Sequence, residues 1–569
     1  MSAACGKTGR SVFAFFGLRA CLSPGRILWA VLVGAMAALG CLAVGAAWAE
    51  PLERQLPPTS PAVGSVPAAS AEIAFGDAWS GPDRVSPLPS AAAAVPAGRL
   101  AGRRPNIILV MTDDQGKGDL SCLGNPDLKT PNLDRLYQRS TRFSQFQVSP
   151  TCSPSRSAIM SGRHEFKNGV THTILERERM ALGVVTLAEV LRSAGYHTGI
   201  FGKWHLGDEE PYQPHRRGFE ETFIHGAGGI GQVYNCSCAD APPNQKNRYF
   251  DPVIRHNGRF VQTRGFCTDV FFRQALGWIK KQKDSGRPFF VYLTPNAPHD
   301  PMIAPEKYKK PFLEAGFDET VAGRYGMITN LDDNIGLLMQ KLDEWKLWDN
   351  TLLIFMTDNG QAGPRKTLRH GKPYELYHAG FRSGKGTPYE GGTCVPCFWR
   401  WKGVLPEGQD IDALAAHIDL FPTFVELAGA NLPPNTQKLD GRSLVPLLEN
   451  PKAPWPDRFL FTHVGRWPKG ADPDEYKYHQ SAVRNQRFRL VNNKELYDLL
   501  NDPGETTNVI DRFPEVVQAM RAAYEAWWAE VRPMLVNEDV PLSPHRPFFD
   551  LYEKQLQQEG IPQWTPPEW

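Results

Sequence analysis

The chain contains 569 residues, of which 63 are Lys or Arg and 61 are Asp or Glu, so its formal net charge is +2 at pH 7. Hydrophobic residues make up 41% of it, an ordinary share for a soluble globular protein. The balanced charge argues against a protein that coats nucleic acid, which needs a concentrated basic excess. The length is sufficient for two domains, or for one large domain with an appendage.

The N-terminus has the pattern of a targeting segment. Arg10, Arg19 and Arg26 precede an apolar run over residues 27–46, and Ala-Trp-Ala at 47–49 fits an A-x-A cleavage site. We therefore predict that residues 1–49 are a signal peptide and that the protein is exported, to the periplasm or the medium. Because the apolar run is long for a signal peptide, retention as a membrane anchor is the alternative.

Composition divides the rest of the chain. Residues 50–103 are rich in Ala, Pro and Ser, which predicts a linker without a core. In residues 104–450 short apolar runs alternate with helical patterns, which predicts an α/β domain with a large, mostly parallel sheet flanked by helices. Residues 451–540 are predicted to form a smaller C-terminal α+β domain, and residues 541–569 a tail.

The main sheet is expected to contain four buried strands, each a short apolar run. A T-x-x-E capping box at Thr186 and Glu189 predicts a helix that ends near Gly195. Further along, two short strands flank a tight Asn492-Asn493 turn. The predicted sheet strands are Asn106–Met111, Thr198–Phe201, Phe289–Leu293 and Leu352–Met356.

The most informative motif is C-S-P-S-R at residues 152–156, followed by S-G-R at 161–163. Pro154 suits the first turn of a helix, so Cys152 is predicted at the helix N-terminus, where free N–H groups attract an anion. Arg156, one turn further on, points back toward the same place. The motif therefore predicts an anion site with a reactive side chain.

Two predicted strands end in nearly the same polar sequence. Residues 111–114 read M-T-D-D, and residues 356–359 read M-T-D-N. If the two strands are neighbours, three carboxylates and an amide oxygen meet at the carboxyl edge of the sheet, where ligands bind in such folds. Oxygen ligands of this kind select a hard cation, and a flexible carboxylate set favours Ca²⁺. The candidate ligands are Asp113, Asp114, Asp358 and Asn359.

The other two strands also end in chemistry-bearing residues. G-K-W-H follows one of them and places Lys203 and His205 at its end, while N-A-P-H follows the other and ends at His299. Residues 384–392 read G-K-G-T-P-Y-E-G-G, a glycine-rich loop in which Lys385 supplies one cation. Such groups are suited to ligand binding or proton transfer.

These motifs, in this order, resemble the sulfatase family over most of the chain, from about residue 104 to 509. The resemblance implies an alkaline-phosphatase-like fold, with residues 104–450 as the catalytic domain, and hydrolysis of aryl or carbohydrate sulfate esters. It also implies that a maturation enzyme converts Cys152 to formylglycine, whose hydrated form is the nucleophile.

The same resemblance assigns roles to the candidate residues. One Ca²⁺ is held by Asp113, Asp114, Asp358 and Asn359 together with residue 152. Lys203, His299 and Lys385 bind the sulfate group, Arg156 supports the formylglycine, and His205 is a base. His299 or Lys385 protonates the leaving oxygen.

Two alternatives stay open at this stage. One is a phosphate or phosphonate monoester hydrolase of the same superfamily, and the other is a non-catalytic relative that binds sulfated glycans. A thiol phosphatase fits less well, because it needs Arg six residues after its Cys and Ala158 stands there. Three of the 10 cysteines lie in the leader, and setting Cys152 aside leaves six, which permits disulfides in an exported protein.

Overall fold

The computed structural model describes residues 99–243 and 248–569. The predicted signal peptide and nearly all of the predicted linker lie outside these residues. Among the described residues, no helix is long and apolar enough to cross a bilayer. The cysteines in the described part of the chain are free thiols.

The described chain contains nineteen strands and eleven α-helices. The strands are β1 (Asn106–Thr112), β2 (Thr141–Phe143), β3 (Phe146–Gln147), β4 (His197–Lys203), β5 (Glu221–His225), β6 (Val253–His256), β7 (Arg259–Gln262), β8 (Phe289–Thr294), β9 (Thr351–Thr357), β10 (Lys366–Arg369), β11 (Lys372–Glu375), β12 (Cys394–Val395), β13 (Cys397–Arg400), β14 (Asp410–Ile411), β15 (Ala415–Ala416), β16 (Leu460–His463), β17 (Ser481–Arg484), β18 (Phe488–Val491) and β19 (Glu495–Asp498). The helices are α1 (Pro131–Gln138), α2 (Cys152–Ser161), α3 (Leu187–Ser193), α4 (Cys267–Lys283), α5 (Glu306–Glu314), α6 (Glu319–Glu344), α7 (Glu390–Thr393), α8 (Leu420–Ala428), α9 (Val445–Glu449), α10 (Pro514–Val531) and α11 (Pro547–Gln558).

Ten strands form one mixed sheet in the order β14-β2-β13-β9-β1-β8-β4-β5-β6-β7. Its five central strands, from β9 to β5, are all parallel, and antiparallel strands extend the sheet on both sides. The four strands predicted from apolar runs are therefore neighbours in the parallel centre. The prediction of a large, mostly parallel mixed sheet is confirmed.

The central strands are apolar throughout because both faces of the sheet are covered. In β1, Ile107, Leu109 and Met111 face one hydrophobic core, whereas Ile108 and Val110 face the other. This alternation follows from the two-residue repeat of a strand. The sheet thus lies between two layers and is accessible for chemistry at the ends of its strands.

The structure also contains the helix cap, the helix end and the hairpin turn that the sequence predicts. The Thr186 hydroxyl accepts a hydrogen bond from the Glu189 N–H (3.2 Å), and the Glu189 carboxylate accepts one from the Thr186 N–H (2.7 Å), so the capping box starts α3. Gly195 follows the helix with a φ of +87°, which favours glycine. In the turn between β18 and β19, Asn492 and Asn493 both have positive φ, and Lys494 N–H donates to the Val491 carbonyl (2.9 Å), as in a tight hairpin.

The C-terminal part of the chain forms a second, antiparallel sheet in the order β16-β17-β18-β19. Helix α10 packs against it through an aromatic-rich core that includes Tyr524, Trp527 and Trp528. Beyond this sheet, α11 packs on β7, where the Gln555 side chain bonds both backbone groups of Phe260 (2.7 and 2.8 Å). The described fold is therefore a large α/β sheet accompanied by a smaller α+β unit.

A buried ion-pair network joins helix α7 to the C-terminal sheet. The Glu390 carboxylate, in the helix that follows the glycine-rich loop, accepts from Arg489 (2.6 Å) and Arg484 (2.9 Å), which lie on β18 and β17. Burial would raise the pKa of Glu390, but the two guanidinium groups outweigh it and hold the pKa well below its usual range. The carboxylate is thus an anchor for the C-terminal sheet.

Replacing Glu390 by Gln removes the carboxylate of Arg484 and the nearer carboxylate of Arg489, whose other partner, Glu505, lies at 3.6 Å. We expect Glu390→Gln to lower the free energy of unfolding by about 3 kcal/mol. Urea denaturation measures the change. The control is Glu319→Gln, which removes an exposed partner of Lys309 (3.0 Å) and should cost less than about 1 kcal/mol. Equal losses in the two variants would contradict the anchoring role.

Candidate active site

The two acidic strand ends lie side by side. Strands β1 and β9 are parallel neighbours, and their last residues, Thr112 and Thr357, are paired in register. Asp113 and Asp358 follow directly, and the Asp114 N–H donates to the Asp358 carboxylate (3.2 Å). Each of these three carboxylates is buried. The repeated M-T-D pattern thus becomes a single acidic cluster at the carboxyl edge of the sheet.

Each carboxylate of the cluster has its own cation. Arg156 contacts Asp358 (2.7 Å), Lys203 contacts Asp113 (2.8 Å), and Lys385 contacts Asp114 (2.7 Å to Oδ2). Three negative groups are therefore matched by three positive ones in a largely buried region, in which the Lys385 side chain alone among these six groups is partly exposed. Such pairing is required because an isolated charge in a protein interior is strongly unfavourable.

Burial raises the pKa values of the carboxyl groups, whereas the neighbouring cations lower them. Burial would raise the pKa of Asp114, but Lys385, His299 and Lys203 outweigh it and hold the pKa well below its usual range. For Asp358, burial and the neighbouring Asp113 charge raise the pKa to about 6, against the opposing effect of Arg156. The charge of each carboxyl group in the cluster therefore depends on the charges of its neighbours, including any ion that binds there.

Some oxygen atoms of the cluster remain available for a cation. Within the described residues, Oδ1 of Asp113 and Oδ1 of Asn359 are buried and have no hydrogen-bond partner. Asn359 lies next to Asp358 and donates its amide to the Asp114 carboxylate (3.0 Å). Unpartnered buried oxygens beside three carboxylates fit a hard cation such as Ca²⁺. Ligand atoms of Asp113, Asp114, Cys152 and His299 also lie within 4.8 Å of one another.

Cys152 begins helix α2, as the Pro154 pattern predicts. It is almost fully buried, and its Sγ lies 3.9 Å from the Asp114 carboxylate. Burial raises the pKa of the thiol to about 12, although Lys203 and Lys385 oppose the shift. The unmodified side chain is therefore a neutral thiol and a poor nucleophile.

Neighbouring segments are fixed to α2 by hydrogen bonds. Arg156 donates to the Lys203 carbonyl (2.9 Å), and the Ser153 hydroxyl donates to the His205 carbonyl (2.8 Å). Gly386 N–H donates to the Pro150 carbonyl (2.8 Å), which holds the Lys385 loop against the segment before Cys152. The start of α2 and the residues just before it therefore position groups from two other parts of the sequence, the 203–205 segment and the Lys385 loop.

The end of β4 adopts a conformation that depends on glycine. Gly202 has a φ of +117°, and a Cβ there would lie 2.1 Å from the Thr294 carbonyl oxygen on β8. This close approach of the strands allows Thr294 to donate to the Lys203 carbonyl (2.9 Å). The backbone that carries Lys203 is thereby held against β8.

His205 is a buried, neutral imidazole with a defined tautomer. Its φ is +60°, an uncommon conformation for a non-glycine residue. Its Nε2–H donates to the Thr173 carbonyl (2.8 Å), while Nδ1 has no partner among the described residues. Burial and the nearby Lys203 charge lower its pKa well below the usual range. Nδ1 is therefore available to accept a proton.

His299 lies beside Asp114. Its Nδ1–H donates to the Asp300 carbonyl (2.9 Å), and its Nε2 is 3.9 Å from the Asp114 carboxylate. Burial lowers the pKa of His299 to about 4, although Asp114 opposes the shift. All of the predicted site residues thus lie at the carboxyl edge of the sheet or on α2 and the glycine-rich loop beside it.

The sequence did not indicate Arg324 or Thr173 as parts of this site. Arg324 is buried in α6 and donates to the Asp114 carbonyl (2.9 Å) and the Asp119 carboxylate (2.6 Å). It fixes the backbone of a cluster residue whose φ is +68°. The only signal was a single Arg on an otherwise apolar helix face. Thr173 contributes a carbonyl oxygen, which no side-chain pattern could indicate.

Comparison with protein families gives two matches. The model of the family Sulfatase matches residues 105–430. A second model, described as N-sulphoglucosamine sulphohydrolase, C-terminal, matches residues 383–527.

Curated relatives and solved structures agree with these matches. N-acetylgalactosamine-6-sulfatase of Canis lupus familiaris is 32% identical over 512 residues, which cover 82% of this chain and 91% of that protein. Arylsulfatase A of Homo sapiens is 31% identical over 474 residues, which cover 75% of this chain and 88% of that protein. The crystal structure of Ps i-CgsB, also solved in complex with k-i-k-neocarrahexaose, superposes with a TM-score of 0.64 at 27% identity, covering 80% of this chain and 98% of that one.

The Arg156–Asp358 pair gives a direct test of the cluster. We expect Arg156→Gln to lower the free energy of unfolding by about 3–5 kcal/mol, because Asp358 is left buried without its cation. Chemical denaturation checks this value. In Arg259→Gln, which removes an exposed partner of Glu559, the loss should stay below about 1 kcal/mol. A small loss in Arg156→Gln would mean that the cluster does not need this cation.

Proposed function

The chain belongs to the sulfatase family and is a sulfuric ester hydrolase with the alkaline-phosphatase-like fold of that family, and we propose that its substrate is a sulfated glycan. The relatives named for N-acetylgalactosamine-6-sulfate and the structure with a bound neocarrahexaose support a carbohydrate substrate. We further propose that the protein is exported, by way of the predicted signal peptide.

The observation that carries the proposed mechanism is the position of Cys152. It lies at a helix N-terminus beside three carboxylates and three cations, where burial raises the pKa of its thiol to about 12 and so favours the neutral form. We propose that a maturation enzyme oxidises Cys152 to formylglycine, which supplies a hydrated aldehyde as the nucleophile. Arg156, paired with Asp358, orients that side chain.

We propose that one Ca²⁺ is held by Asp113, Asp114, Asp358 and Asn359 together with residue 152. The bound ion would offset the negative charge of the sulfuryl oxygens and of the carboxylates around them. The two unpartnered buried oxygens of Asp113 and Asn359 support this ligand set.

The remaining site residues are assigned to the substrate. Lys203 and Lys385 neutralise the sulfuryl oxygens, and Nε2 of His299 faces the same region. Lys385 delivers a proton to the leaving oxygen, or His299 does so once its Nε2 has been protonated. His205 accepts the proton of the second hydroxyl at Nδ1, because its Nε2–H is already donated to Thr173. This proton transfer lets the enzyme release sulfate and restore the aldehyde without a separate attack by water.

The maturation of Cys152 can be measured on the protein itself. We expect the peptide that contains residue 152, from cells that also produce a maturation enzyme, to have the mass of the aldehyde or its hydrate. The same preparation should cleave 4-nitrophenyl sulfate much faster than 4-nitrophenyl phosphate. Cys122→Ser should retain both properties, and Cys152→Ala should fold but lose turnover. An intact thiol in an active enzyme, or a preference for the phosphate ester, would overturn the proposal.

The calcium site can be tested without relying on turnover. We expect Ca²⁺ to raise the melting temperature of the chelator-treated protein, because the ion binds the folded state only. Asn359→Ala should reduce this shift, whereas Asn235→Ala, on an exposed residue, should leave it unchanged. An identical shift in both variants would place the ion elsewhere.

The role of Lys385 can be tested by kinetics. We expect Lys385→Ala to lower kcat/KM for a sulfate ester by about 10²–10³-fold, the usual effect of removing one preorganised charge from an active site. Lys372→Ala, on the exposed hairpin of β10 and β11, is the matched control. Unchanged kinetics in Lys385→Ala would remove this residue from the mechanism.

A further inference from the structure

A second feature with ligand-binding character is a groove far from the acidic cluster. It has a volume of 720 Å³ and lies between α1, α6 and the end of β13. We call it the α1–α6 groove. Its charged lining consists of Arg135, Arg139, Arg400, Lys402, Asp333 and Asp343.

The cations of this groove are not engaged in ion pairs. Within residues 99–243 and 248–569, none of the four lies within 4.0 Å of a carboxylate oxygen. Arg135 donates only to the Asn132 amide oxygen (2.9 Å), and Arg135, Arg139 and Lys402 are exposed. Four cations therefore face two carboxylates around one concave surface, which leaves an excess of positive charge.

Arg400 differs from an ordinary surface cation. It is only 5% exposed, and its guanidinium carbon lies 4.5 Å from the centre of the Trp348 ring. Its Nε is buried and has no partner among the residues that the structure describes. Burial and the charges of Arg139 and Arg135 lower its pKa, with Glu407 and Asp343 opposing. A stacked guanidinium with unused N–H groups is suited to a planar, charge-assisted contact with an oxyanion.

The groove lies at the opposite end of the sheet from the catalytic cluster. Arg400 pairs with Leu353 near the start of β9, whereas Asp358 follows the end of that strand. A separation of five residues corresponds to roughly 17 Å along the strand. The groove is thus separate from the residues that hold the scissile sulfate.

We propose that the α1–α6 groove is a second binding site for sulfate groups of an anionic glycan. Arg400 bonds one sulfate in the groove, and Arg135, Arg139 and Lys402 attract its neighbours on the chain. The identity of the ligand as a glycan rests on the proposed function, whereas the excess charge and the free guanidinium do not. The site would retain a long substrate on the enzyme between cleavage events.

The test uses the full chain and a fluorescent chondroitin 6-sulfate hexasaccharide as the probe. Binding is measured by anisotropy in Cys152→Ala, which leaves the probe intact. We expect the added changes Arg135→Gln, Arg139→Gln and Lys402→Gln to weaken Kd by about tenfold or more, since each removes a charge-assisted contact. The matched control is Lys280→Gln, Lys281→Gln and Lys283→Gln, three exposed cations of α4, which should leave Kd unchanged.

The outcomes separate this site from the catalytic one. With Cys152 present, the groove variant should hydrolyse 4-nitrophenyl sulfate at the rate of the unaltered enzyme. Equal loss of affinity in the α4 control, or no loss in the groove variant, would overturn the site. Equal binding of an unsulfated hyaluronan hexasaccharide, or equal displacement by inorganic polyphosphate, would overturn its assignment to sulfated glycans. If the enzyme cleaves no sulfate ester but the groove variant still binds the hexasaccharide more weakly, the proposed function is wrong and the groove is still a binding site for the sulfated probe.

Discussion

The structure depends on the matching of charges at the ends of two neighbouring strands. Three carboxylates lie together in a buried region, and each is paired with one cation that comes from another part of the chain. Like charges at this distance would otherwise repel strongly, and burial would increase the cost. The contacts with Arg156, Lys203 and Lys385 therefore offset a cost that the three carboxylates would otherwise impose on the folded state. The same pairing places three cations next to a set of oxygen ligands.

This requirement explains how distant elements contribute to the site. Lys385 lies on a loop whose following residues include Glu390, and Glu390 is held by Arg484 and Arg489 of the C-terminal sheet. The smaller sheet therefore helps to position a charged residue of the catalytic cluster, although none of its own side chains belongs to that cluster. On the other side, α2 fixes the backbones of Lys203 and His205.

Much of this arrangement could be predicted from the sequence. The four apolar runs predicted a parallel sheet, and the repeated M-T-D ending predicted an acidic cluster on the condition that those two strands are neighbours, which they are. The hydrogen bonds inside the site were harder to predict, because they join residues that are distant in sequence. The bracing of Asp114 by Arg324 and the hydrogen bond from His205 to the Thr173 carbonyl are of this kind. The same is true of the short antiparallel strands that extend the sheet, which carry weak sequence signals.

We propose that the acidic cluster is a calcium site beside residue 152, and a crystal structure of the matured protein grown with Ca²⁺ tests this proposal. We expect one ion with oxygen ligands from Asp113, Asp114, Asp358 and Asn359 at about 2.3–2.6 Å. We also expect a modified residue 152 next to that ion. A cluster without an ion, in which Lys385 and Lys203 keep their carboxylate contacts and residue 152 keeps its thiol, would show that the proposal is wrong.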